Sequence, residues 1–483
     1  MQYKTICRLL GLLLMLYSLS MLPPILINFI FDETLWLPFV LPFAICATTG
    51  ILLWACYRDH RSLLKIREGF LIIVVIWFGI SSISILPFLL YQDLHLSVTD
   101  IVFETVSGLT TTGAVAFTKL NQMPHAILYY RQQLQFIGGM GIVVLAVAIF
   151  PVLGMGGTQL FRVETSGALR DSKLTPRITQ TAKALWGIYC FLTLACAGSY
   201  WFCGMDWFYA LGESFATVST GGFSMHDDSF LYYHSLAIEI FACLFMLIGS
   251  LNFALHFVAF QKRTLTHYTQ DEESRFFLFG FLTISILTII ALFASRHFQL
   301  SQVHWIDCLF MIISMSTTTG FALTPFNNWT SFTPILIIMV SLIGGCSGST
   351  TGGLKVLRLL LIGKQSKREF IRLIHPQAVL TVKMDHKPVS EPILQSVSGY
   401  VSLFLGVFAL LTLICMALGN DFISSFSGIA AALANSGAGI GSIAGDFSNL
   451  NIGTKWLLIF SMILGRLELY PFFILFTRPF WEK

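Results

Sequence analysis

The sequence predicts an all-α integral membrane protein with two N-terminal helices and four repeats of helix, re-entrant pore helix, filter segment and helix, arranged with pseudo-fourfold symmetry around a central pore. The chain has 483 residues, of which 55% are apolar and 11% charged, whereas about a quarter of a typical soluble domain is charged. Apolar stretches of about 18 residues or more, long enough to cross a hydrocarbon core about 30 Å thick, recur from end to end. Between them, one short pattern of threonine and glycine appears four times.

The first apolar stretch is predicted to be a retained membrane span. Lys4 and Arg8 precede a long apolar run, which gives the segment the basic flank and apolar core of a signal peptide. The run is too long for a signal peptide, however, and it has no cleavage site of small residues. We therefore expect two helices, at about 6–30 and 35–56, which form an N-terminal unit over residues 1–60.

The rest of the chain is predicted to fold as four pore repeats. In each repeat an outgoing helix leads to an apolar segment of about a dozen residues, then to the Thr/Gly pattern, then to a second long helix. The short segments cannot cross the membrane alone, so we expect half-helices that enter and leave on one face. They lie at 97–109, 206–218, 303–316 and 421–434. The repeats are assigned to residues 61–160, 161–262, 263–362 and 363–483, the last beginning with a basic cytosolic linker.

The distribution of basic residues supports this topology. Lysine and arginine concentrate in alternate loops, and the loops between these are almost free of them. Basic loops of membrane proteins face the cytoplasm, so re-entrant half-helices place every basic linker inside, with ten spans and both termini cytoplasmic. Short segments that crossed the membrane would break this rule at every second repeat. The basic residues concerned are Arg58, Arg61, Lys65, Arg67, Arg162, Arg170, Lys173, Arg177, Lys262, Arg263, Arg275, Lys364, Lys367, Arg368, Arg372, Lys383 and Lys387.

The Thr/Gly pattern has the composition of an ion-selectivity filter. Glycine permits backbone conformations that expose carbonyl oxygens, and these, with threonine hydroxyls, replace the water shell of a monovalent cation. Glu104 lies nine residues before Gly113 and Glu213 nine residues before Gly222, which supports an internal repeat. For a single copy, ordinary packing of small residues between helices is the alternative. The four copies are Thr110-Thr111-Thr112-Gly113, Ser219-Thr220-Gly221-Gly222, Thr317-Thr318-Thr319-Gly320 and Asn435-Ser436-Gly437.

Five sequence motifs carry a resemblance to a known family. They are Ser107-Gly108-Leu109-Thr110-Thr111-Thr112-Gly113-Ala114, Gly138-Gly139-Met140-Gly141, Ser219-Thr220-Gly221-Gly222-Phe223-Ser224, Gly344-Gly345-Cys346-Ser347-Gly348-Ser349-Thr350 and Gly465-Arg466-Leu467-Glu468. With them, essentially the whole chain resembles the Trk/Ktr/HKT superfamily of potassium transporters, most closely its bacterial TrkH/TrkG branch. The resemblance implies a homodimer in the bacterial inner membrane that transports K+, with some Na+ permeation. It also implies control by a cytosolic nucleotide-binding regulatory subunit, a TrkA-like ring.

The same resemblance assigns the residues that coordinate K+ in the filter. By position they are Thr111, Thr112, Gly113, Thr220, Gly221, Gly222, Thr318, Thr319, Gly320, Asn435, Ser436 and Gly437. The filter glycines are Gly113, Gly222, Gly320 and Gly437. Each segment thus has one filter glycine, where the K+ channel signature TVGYG has two, and the fourth segment has no threonine. We therefore expect a filter that discriminates K+ from Na+ less sharply than a dedicated K+ channel. No organic cofactor is expected in this chain.

A glycine-rich stretch, residues 344–353, interrupts the second helix of the third repeat. Each glycine costs about 1 kcal/mol relative to alanine in a helix, so we expect an irregular loop that faces the pore, with a packing kink as the alternative. The resemblance implies that this loop gates the pore beneath the filter. It assigns to the gate Gly344, Gly345, Ser347, Gly348, Ser349, Thr350, Gly352, Gly353 and Arg466.

Arg466 is a charged residue inside the last predicted span, where it costs at least about 2.5 kcal/mol. The resemblance implies that its charge raises the barrier to cations until the gate opens. The alternative is a structural contact with Glu468 or with carbonyls of the loop. The two roles are compatible.

These features favour channel-like K+ uptake through a gated filter. The alternative is secondary transport coupled to H+ or Na+, in which Glu104 and Glu213 would carry protons. These carboxylates would otherwise accept backbone hydrogen bonds behind the filter, with Arg131 as a partner for one of them. A membrane enzyme is disfavoured, because the sequence contains no HExxH, DDxxD or Walker motif and no GxSxG with partners.

The basic linkers have three interpretations. Topology alone explains most of their charge, attraction to anionic membrane lipids uses some of it, and docking of the regulatory subunit is the expectation from the resemblance. The longest linker, Lys364 to Pro392, is the expected docking surface. Nothing in the chain indicates nucleic-acid binding.

Overall fold

The computed structural model describes residues 2–60, 66–91, 97–148, 178–294, 305–324, 326–330 and 332–482. The predicted boundary between the first two repeats and the start of the third half-helix lie outside the described residues. So do six of the basic loop residues: Arg61, Lys65, Arg162, Arg170, Lys173 and Arg177.

The helices follow the predicted order. The N-terminal unit contains α1 (Tyr3–Ser18), α2 (Leu22–Ile30) and α3 (Leu37–Tyr57). The first repeat contains α4 (Ile66–Ser84), α5 (Leu86–Leu90), α6 (Val98–Leu109) and α7 (His125–Ala148). The second contains α8 (Ile178–Phe202), α9 (Trp207–Val218), α10 (Leu236–Ser250) and α11 (Phe253–Lys262), and α12 (Thr266–Gln270) follows it. The third contains α13 (Glu272–Ala294), α14 (Trp305–Ser316), α15 (Phe332–Ile343) and α16 (Val356–Ile374). The fourth contains α17 (Glu391–Ala417), α18 (Phe422–Leu433), α19 (Ile452–Arg466), α20 (Tyr470–Phe473) and α21 (Arg478–Trp481).

A β-hairpin with two residues in each strand lies in the linker between α16 and α17. Its strands, β1 (Lys383–Met384) and β2 (Lys387–Pro388), pair antiparallel with Lys383 opposite Pro388. These are the strands in the part of the chain that the structure describes.

The half-helices α6, α9 and α18 are each 12 residues long, and α14 is described over 12 residues from Trp305, as the short apolar segments predict. Asp206 and Asp421 are the N-caps of α9 and α18, where their carboxylates accept bonds from the Phe208 and Ser424 amides at 2.9 and 3.0 Å. Ser97 caps α6. Asp100 and Asp307 lie in the first turns of α6 and α14, where a carboxylate complements the positive end of the helix dipole.

Six described helical stretches are long and apolar enough to cross a membrane, and two bent pairs of helices bring the total to eight. The other two of the ten predicted spans are α7, which carries Arg131 and three glutamines, and the broken helix that begins with α15. Large apolar side chains such as Phe202, Phe279 and Phe293 are 90%, 70% and 73% exposed along the spans. A lipid environment accounts for such exposure, which water would disfavour.

The second helices predicted for repeats two and four are each divided by a sharp bend. The helix α10 meets α11 at 99°, and α19 meets the segment Tyr470–Phe476 at 104°. The first bend follows a local signal, because the Asn252 side chain accepts the Ala254 amide at 2.8 Å and caps a new helix. Both bends lie on the same side of the filter as the glycine-rich loop.

Candidate functional site

The four filter segments share one backbone conformation. In each segment two residues have positive φ angles. They are the residue that follows the C-cap of the half-helix and the filter glycine two positions later. The pairs are Thr111 (50°) and Gly113 (78°), Thr220 (53°) and Gly222 (80°), Thr318 (54°) and Gly320 (87°), and Asn435 (52°) and Gly437 (67°). Left-handed backbone is a rare conformation for β-branched residues and costs of order 1–3 kcal/mol each. Its occurrence in all four segments shows that they are equivalent.

Hydrogen bonds at the helix ends impose this conformation. The Thr111 amide donates to the Gly108 carbonyl at 3.0 Å and the Thr112 amide to the Ser107 carbonyl at 2.8 Å, which is the Schellman pattern of helix termination. The same two bonds close the other half-helices. They run from Thr220 to Thr217 and Gly221 to Ala216, from Thr318 to Met315 and Thr319 to Ser314, and from Asn435 to Ala432 and Ser436 to Ala431.

The four filter glycines form a closed ring. A methyl group added at Gly113 would lie 2.2 Å from the carbonyl oxygen of Gly221, in the next segment. The series continues around the ring: Gly222 faces Thr319 at 1.9 Å, Gly320 faces Ser436 at 2.3 Å, and Gly437 faces Thr112 at 2.2 Å. Each glycine therefore lies against a carbonyl of the following repeat, and the fourth repeat meets the first. Only glycine combines the positive φ with this close approach.

In the described ranges, several side-chain oxygens of the filter segments have no hydrogen-bond partner. Among the described residues, the buried side-chain oxygens of Thr111 and Ser436 and the Asn435 carboxamide oxygen have no hydrogen-bond donor. Buried polar atoms are normally paired. The Asn435 oxygen faces α19 behind the ring, because a methyl group added at Gly465 would lie 2.9 Å from it.

Each pore helix also supports the chain that leaves the filter. The amide three residues after the filter glycine is bonded by a side chain from the half-helix of the same repeat. The bonds are Ala116 to Glu104 at 2.6 Å, Met225 to Glu213 at 2.8 Å, Leu323 to the Met311 sulfur at 3.5 Å, and Ile440 to Ser427 at 3.1 Å. Four chemically different side chains thus fill one structural role.

Glu104 and Glu213 are fully buried and accept hydrogen bonds behind the filter. Glu104 also binds the Phe117 amide at 3.1 Å and Arg131 Nε at 2.6 Å, so Arg131 is its partner. Glu213 also accepts from the hydroxyls of Ser224 and Tyr233 at 2.7 and 3.2 Å. Removing one member of a buried ion pair destabilises the folded protein by about 3–5 kcal/mol. Loss of either Glu104 or Arg131 is therefore expected to destabilise this part of the fold.

A cavity of about 450 Å³ lies on the side of the ring where the half-helices begin, and all four filter glycines line it. Its walls carry Asp227, Asp228 and Asp446. His226, also in the wall, stacks on Tyr232 with 3.5 Å between ring centroids. Burial lowers the pKa of His226 to about 4, so the imidazole is neutral near pH 7. Arg131 also lines the cavity, but its charge is balanced by Glu104. The three aspartates therefore give the cavity a negative character that attracts cations.

The glycine-rich loop lies on the opposite side of the ring. As predicted, the helix is interrupted: α15 ends at Ile343 and α16 begins at Val356. The Thr350 hydroxyl lies 3.2 Å from the Thr220 hydroxyl and 3.1 Å from the Val218 carbonyl, both in repeat two. The Gly352 amide donates to the Thr318 hydroxyl at 2.9 Å. The loop therefore contacts the filter from below.

Other contacts fix the loop to the body of the protein. A methyl group at Gly352 would lie 2.0 Å from the Ala434 carbonyl in repeat four. The Cys346 amide donates to the Ser250 carbonyl at 2.9 Å, and the Ser347 amide to buried Glu273 at 2.6 Å. The loop thus contacts repeats two, three and four, and these contacts place it beneath the ring.

Arg466 connects the loop to the first repeat. Its guanidinium donates to the carbonyls of Thr350 and Gly138, both at 3.1 Å, and the side chain is 3% exposed. The sequence suggests two structural partners for Arg466, the carbonyls of the loop and Glu468. The bond to the Thr350 carbonyl is the first of these. Glu468, the other, binds Arg358 at 2.5 Å.

The structure thus gathers the twelve predicted filter residues into one ring and the nine predicted gate residues into a layer below it. Sequence reasoning missed the side chains that connect repeats, among them Gln132 and Gln135 of α7. The signal was the run Gln132-Gln133 with Gln135 inside a membrane helix, because polar residues in such helices usually bind backbone or side-chain partners. No group of three or more histidine, cysteine, aspartate or glutamate residues suited to a resident metal ion occurs in the described ranges.

Comparison with known proteins gives the family. The family model described as TrkH, cation transport protein, matches residues 38–482. The chain belongs to the TrkH family. A Trk system potassium uptake protein TrkH from Halomonas elongata is 47% identical over the full length of both chains, and its namesake from Escherichia coli K12 is 43% identical over the full length of both.

Solved structures give the same fold for the TrkH family. The crystal structure of the potassium transporter TrkH from Vibrio parahaemolyticus matches with a TM-score of 0.92 and 43% sequence identity, covering 100% of each chain. The predicted all-α membrane architecture is confirmed. TrkH relatives are named as transport proteins, so the chain is a membrane transport protein and not an enzyme.

Proposed function

We propose that this chain takes up potassium across the bacterial inner membrane, and that K+ passes through the ring of four filter segments. The observation that carries the proposal is the closed ring, in which each filter glycine faces a carbonyl of the next repeat. The C-terminal ends of the four half-helices meet there, and each carries about half a negative charge. The relatives named as potassium uptake proteins support K+ as the ion.

The filter is proposed to bind K+ through Thr111, Thr112 and Gly113 and their equivalents in the other repeats. Backbone carbonyls and side-chain oxygens replace the hydration shell. The second segment has glycine at position 221 and the fourth has Asn435 and Ser436, so the four walls differ chemically. Unequal walls support the expectation of moderate discrimination between K+ and Na+.

The loop at residues 344–353 and Arg466 are proposed to form a gate. The loop lies directly below the ring and contacts filter segments two and three through hydroxyl groups and an amide. Arg466 places a buried positive charge beside the loop and holds its Thr350 carbonyl. Opening would require this contact to break, which would move both the obstruction and the charge.

A cytosolic nucleotide-binding ring is proposed as the regulator, with the segment Lys364–Pro392 as its docking surface. At the end of α16, Phe370, Leu373 and Ile374 are 67%, 81% and 72% exposed beside basic residues of the same helix. Such a mixed apolar and basic surface fits a protein partner, and its basic part also fits anionic lipids. A homodimer with both termini in the cytoplasm completes the proposal.

Secondary transport coupled to H+ or Na+ is the second candidate. The buried carboxylates Glu104 and Glu213 are the feature that favours it, and one oxygen of Glu213 has no hydrogen-bond partner among the residues that the structure describes. Both carboxylates, however, accept backbone amides that support the filter. This arrangement favours a structural role and channel-like permeation.

Uptake in cells tests the proposal. In a bacterium that lacks its own K+ uptake proteins, expression of the intact chain should restore growth at low external K+ and raise the initial rate of K+ uptake. The control is the same host carrying an empty vector. Expression of the chain in the membrane of the test strain is verified separately. Uptake no faster than the control would contradict the proposal.

A further inference from the structure

Filter segment two lacks a side chain that the other three segments have. At the position just before the filter glycine, the other segments carry hydroxyl residues, Thr112, Thr319 and Ser436, whereas segment two has Gly221. In segments one and three this hydroxyl bonds a second threonine of the same segment, with 2.7 Å between Thr110 and Thr112 and 2.8 Å between Thr317 and Thr319. Segment two cannot make this bond.

Backbone conformation does not explain the glycine at position 221. Positive φ angles occur at Thr220 and Gly222 but not at Gly221, and the equivalent residues Thr112 and Thr319 accept the same conformation with a side chain. A threonine is therefore conformationally allowed there. Another group must occupy the space.

That group is the carboxamide of Gln135. A methyl group added at Gly221 would lie 2.5 Å from Gln135 Cδ and 2.7 Å from its Oε1. Gln135 belongs to α7 of repeat one, and it is fully buried. Its Nε2 donates to the Gly221 carbonyl at 2.7 Å, and its Oε1 accepts the Phe223 amide at 3.2 Å. The two bonds fix the orientation of the amide.

Neighbouring side chains of α7 continue the contact along segment two. Gln132 donates to the Phe223 carbonyl at 3.0 Å, and Arg131 donates to the Ser224 carbonyl at 2.6 Å. The Arg131 guanidinium also lies 3.6 Å from the centre of the Phe223 ring. The backbone from Gly221 to Ser224 is thus held by a helix of the preceding repeat.

We propose that Gln135 is the missing fourth side chain of the filter, supplied by the neighbouring repeat, and that it determines ion discrimination by positioning the Gly221 carbonyl. This inference rests on the proposed potassium pathway. A smaller ion such as Na+ requires the surrounding oxygens to move inward, and the Gln135 amide holds one of them in place from behind. Gln135 does not touch the ion and acts only through Gly221.

A double-substitution experiment in proteoliposomes tests this role. The variants are Gln135→Ala, which removes the amide, Gly221→Thr, which introduces the side chain of segments one and three, and both together. Gln133→Ala is the matched control, because Gln133 lies on another face of α7 and donates to the Ser20 carbonyl at 2.6 Å. The readouts are the K+ flux and the ratio of K+ to Na+ permeability.

Gln135→Ala should lower the K+/Na+ permeability ratio about threefold to tenfold, the range expected from loss of one or two hydrogen bonds. Gly221→Thr alone should reduce K+ flux by about tenfold or more, because the new side chain overlaps Gln135. The double variant should recover flux and ratio, since the threonine then has space and lies near the Ser219 hydroxyl. Gln133→Ala should leave the ratio unchanged.

An unchanged ratio in Gln135→Ala, or a double variant no better than Gly221→Thr, would overturn the role of Gln135 while leaving the pathway intact. If Gln135→Ala does not reach the membrane, Gln135→Met keeps the volume without the amide and carries the same prediction. A purified intact chain that conducts no K+ would instead overturn the proposed function itself. If the two substitutions only destabilised the protein, their effects would add and the double variant would be worse than either single variant. Recovery in the double variant therefore indicates that Gln135 acts by positioning segment two.

Discussion

Replacing Gly113 by serine should abolish potassium uptake. The new Cβ would lie 2.2 Å from the Gly221 carbonyl oxygen of the next filter segment, and the backbone there has a φ of +78°. Steric overlap and conformational strain therefore act together at the contact between filter segments one and two. Because that carbonyl belongs to the filter, relief of the overlap displaces a group proposed to bind K+.

The measurement is K+ uptake in the transport-deficient bacterium at matched membrane expression. Gly198→Ser is the control, since Gly198 lies in α8 and no heavy atom of the described part of the chain lies within 4 Å of an added Cβ. The Gly113→Ser variant should support less than about a tenth of the wild-type rate, as expected for a barrier raised by more than about 1.4 kcal/mol. Equal rescue by both variants would undermine the filter assignment.

Replacing Arg466 by alanine should increase K+ flux. The substitution removes a buried positive charge from below the filter and the two bonds that hold Thr350 and Gly138. At an effective dielectric constant of about 20, a unit charge several ångströms from the ion path opposes a cation by more than 1 kcal/mol. An increase of about tenfold is expected.

Flux of the purified chain in proteoliposomes measures this effect, with Arg58→Ala as the control because the Arg58 side chain is 67% exposed. Normal folding is verified from the thermal unfolding midpoint. Reduced flux from a normally folded Arg466→Ala protein would contradict the barrier role. It would favour the structural role, in which Arg466 only connects the loop to repeat one.

Local signals made the half-helices and the filter predictable. The length of each apolar segment, the capping residues Asp206 and Asp421, and the glycine at each segment end act within one short stretch of chain, so the sequence displays them. The break between α15 and α16 was predictable for the same reason, because five glycines occur within residues 344–353.

Several side-chain contacts, within repeats and between them, were not predictable from the sequence. Met311 and Ser427 support the filter as Glu104 and Glu213 do, but their chemistry has nothing in common, so no pattern marks them. Gln135 of repeat one donates to the Gly221 carbonyl of repeat two. From the sequence alone, Gly221 is indistinguishable from any other small filter residue, because the contact with Gln135 appears only in the folded structure. The bend after Ser250 depends on a single capping residue, Asn252, within a long apolar run.

Potassium flux in vesicles of purified protein tests the central claim most directly. The vesicles contain the intact chain and are subjected to a K+ gradient alone, with a protonophore present and no Na+ on either side. A channel-like pore through the ring of four segments should conduct K+ down this gradient, while H+ carried by the protonophore in the opposite direction balances the charge. Absence of K+ flux until a proton or sodium gradient is applied would contradict the account and favour coupled transport.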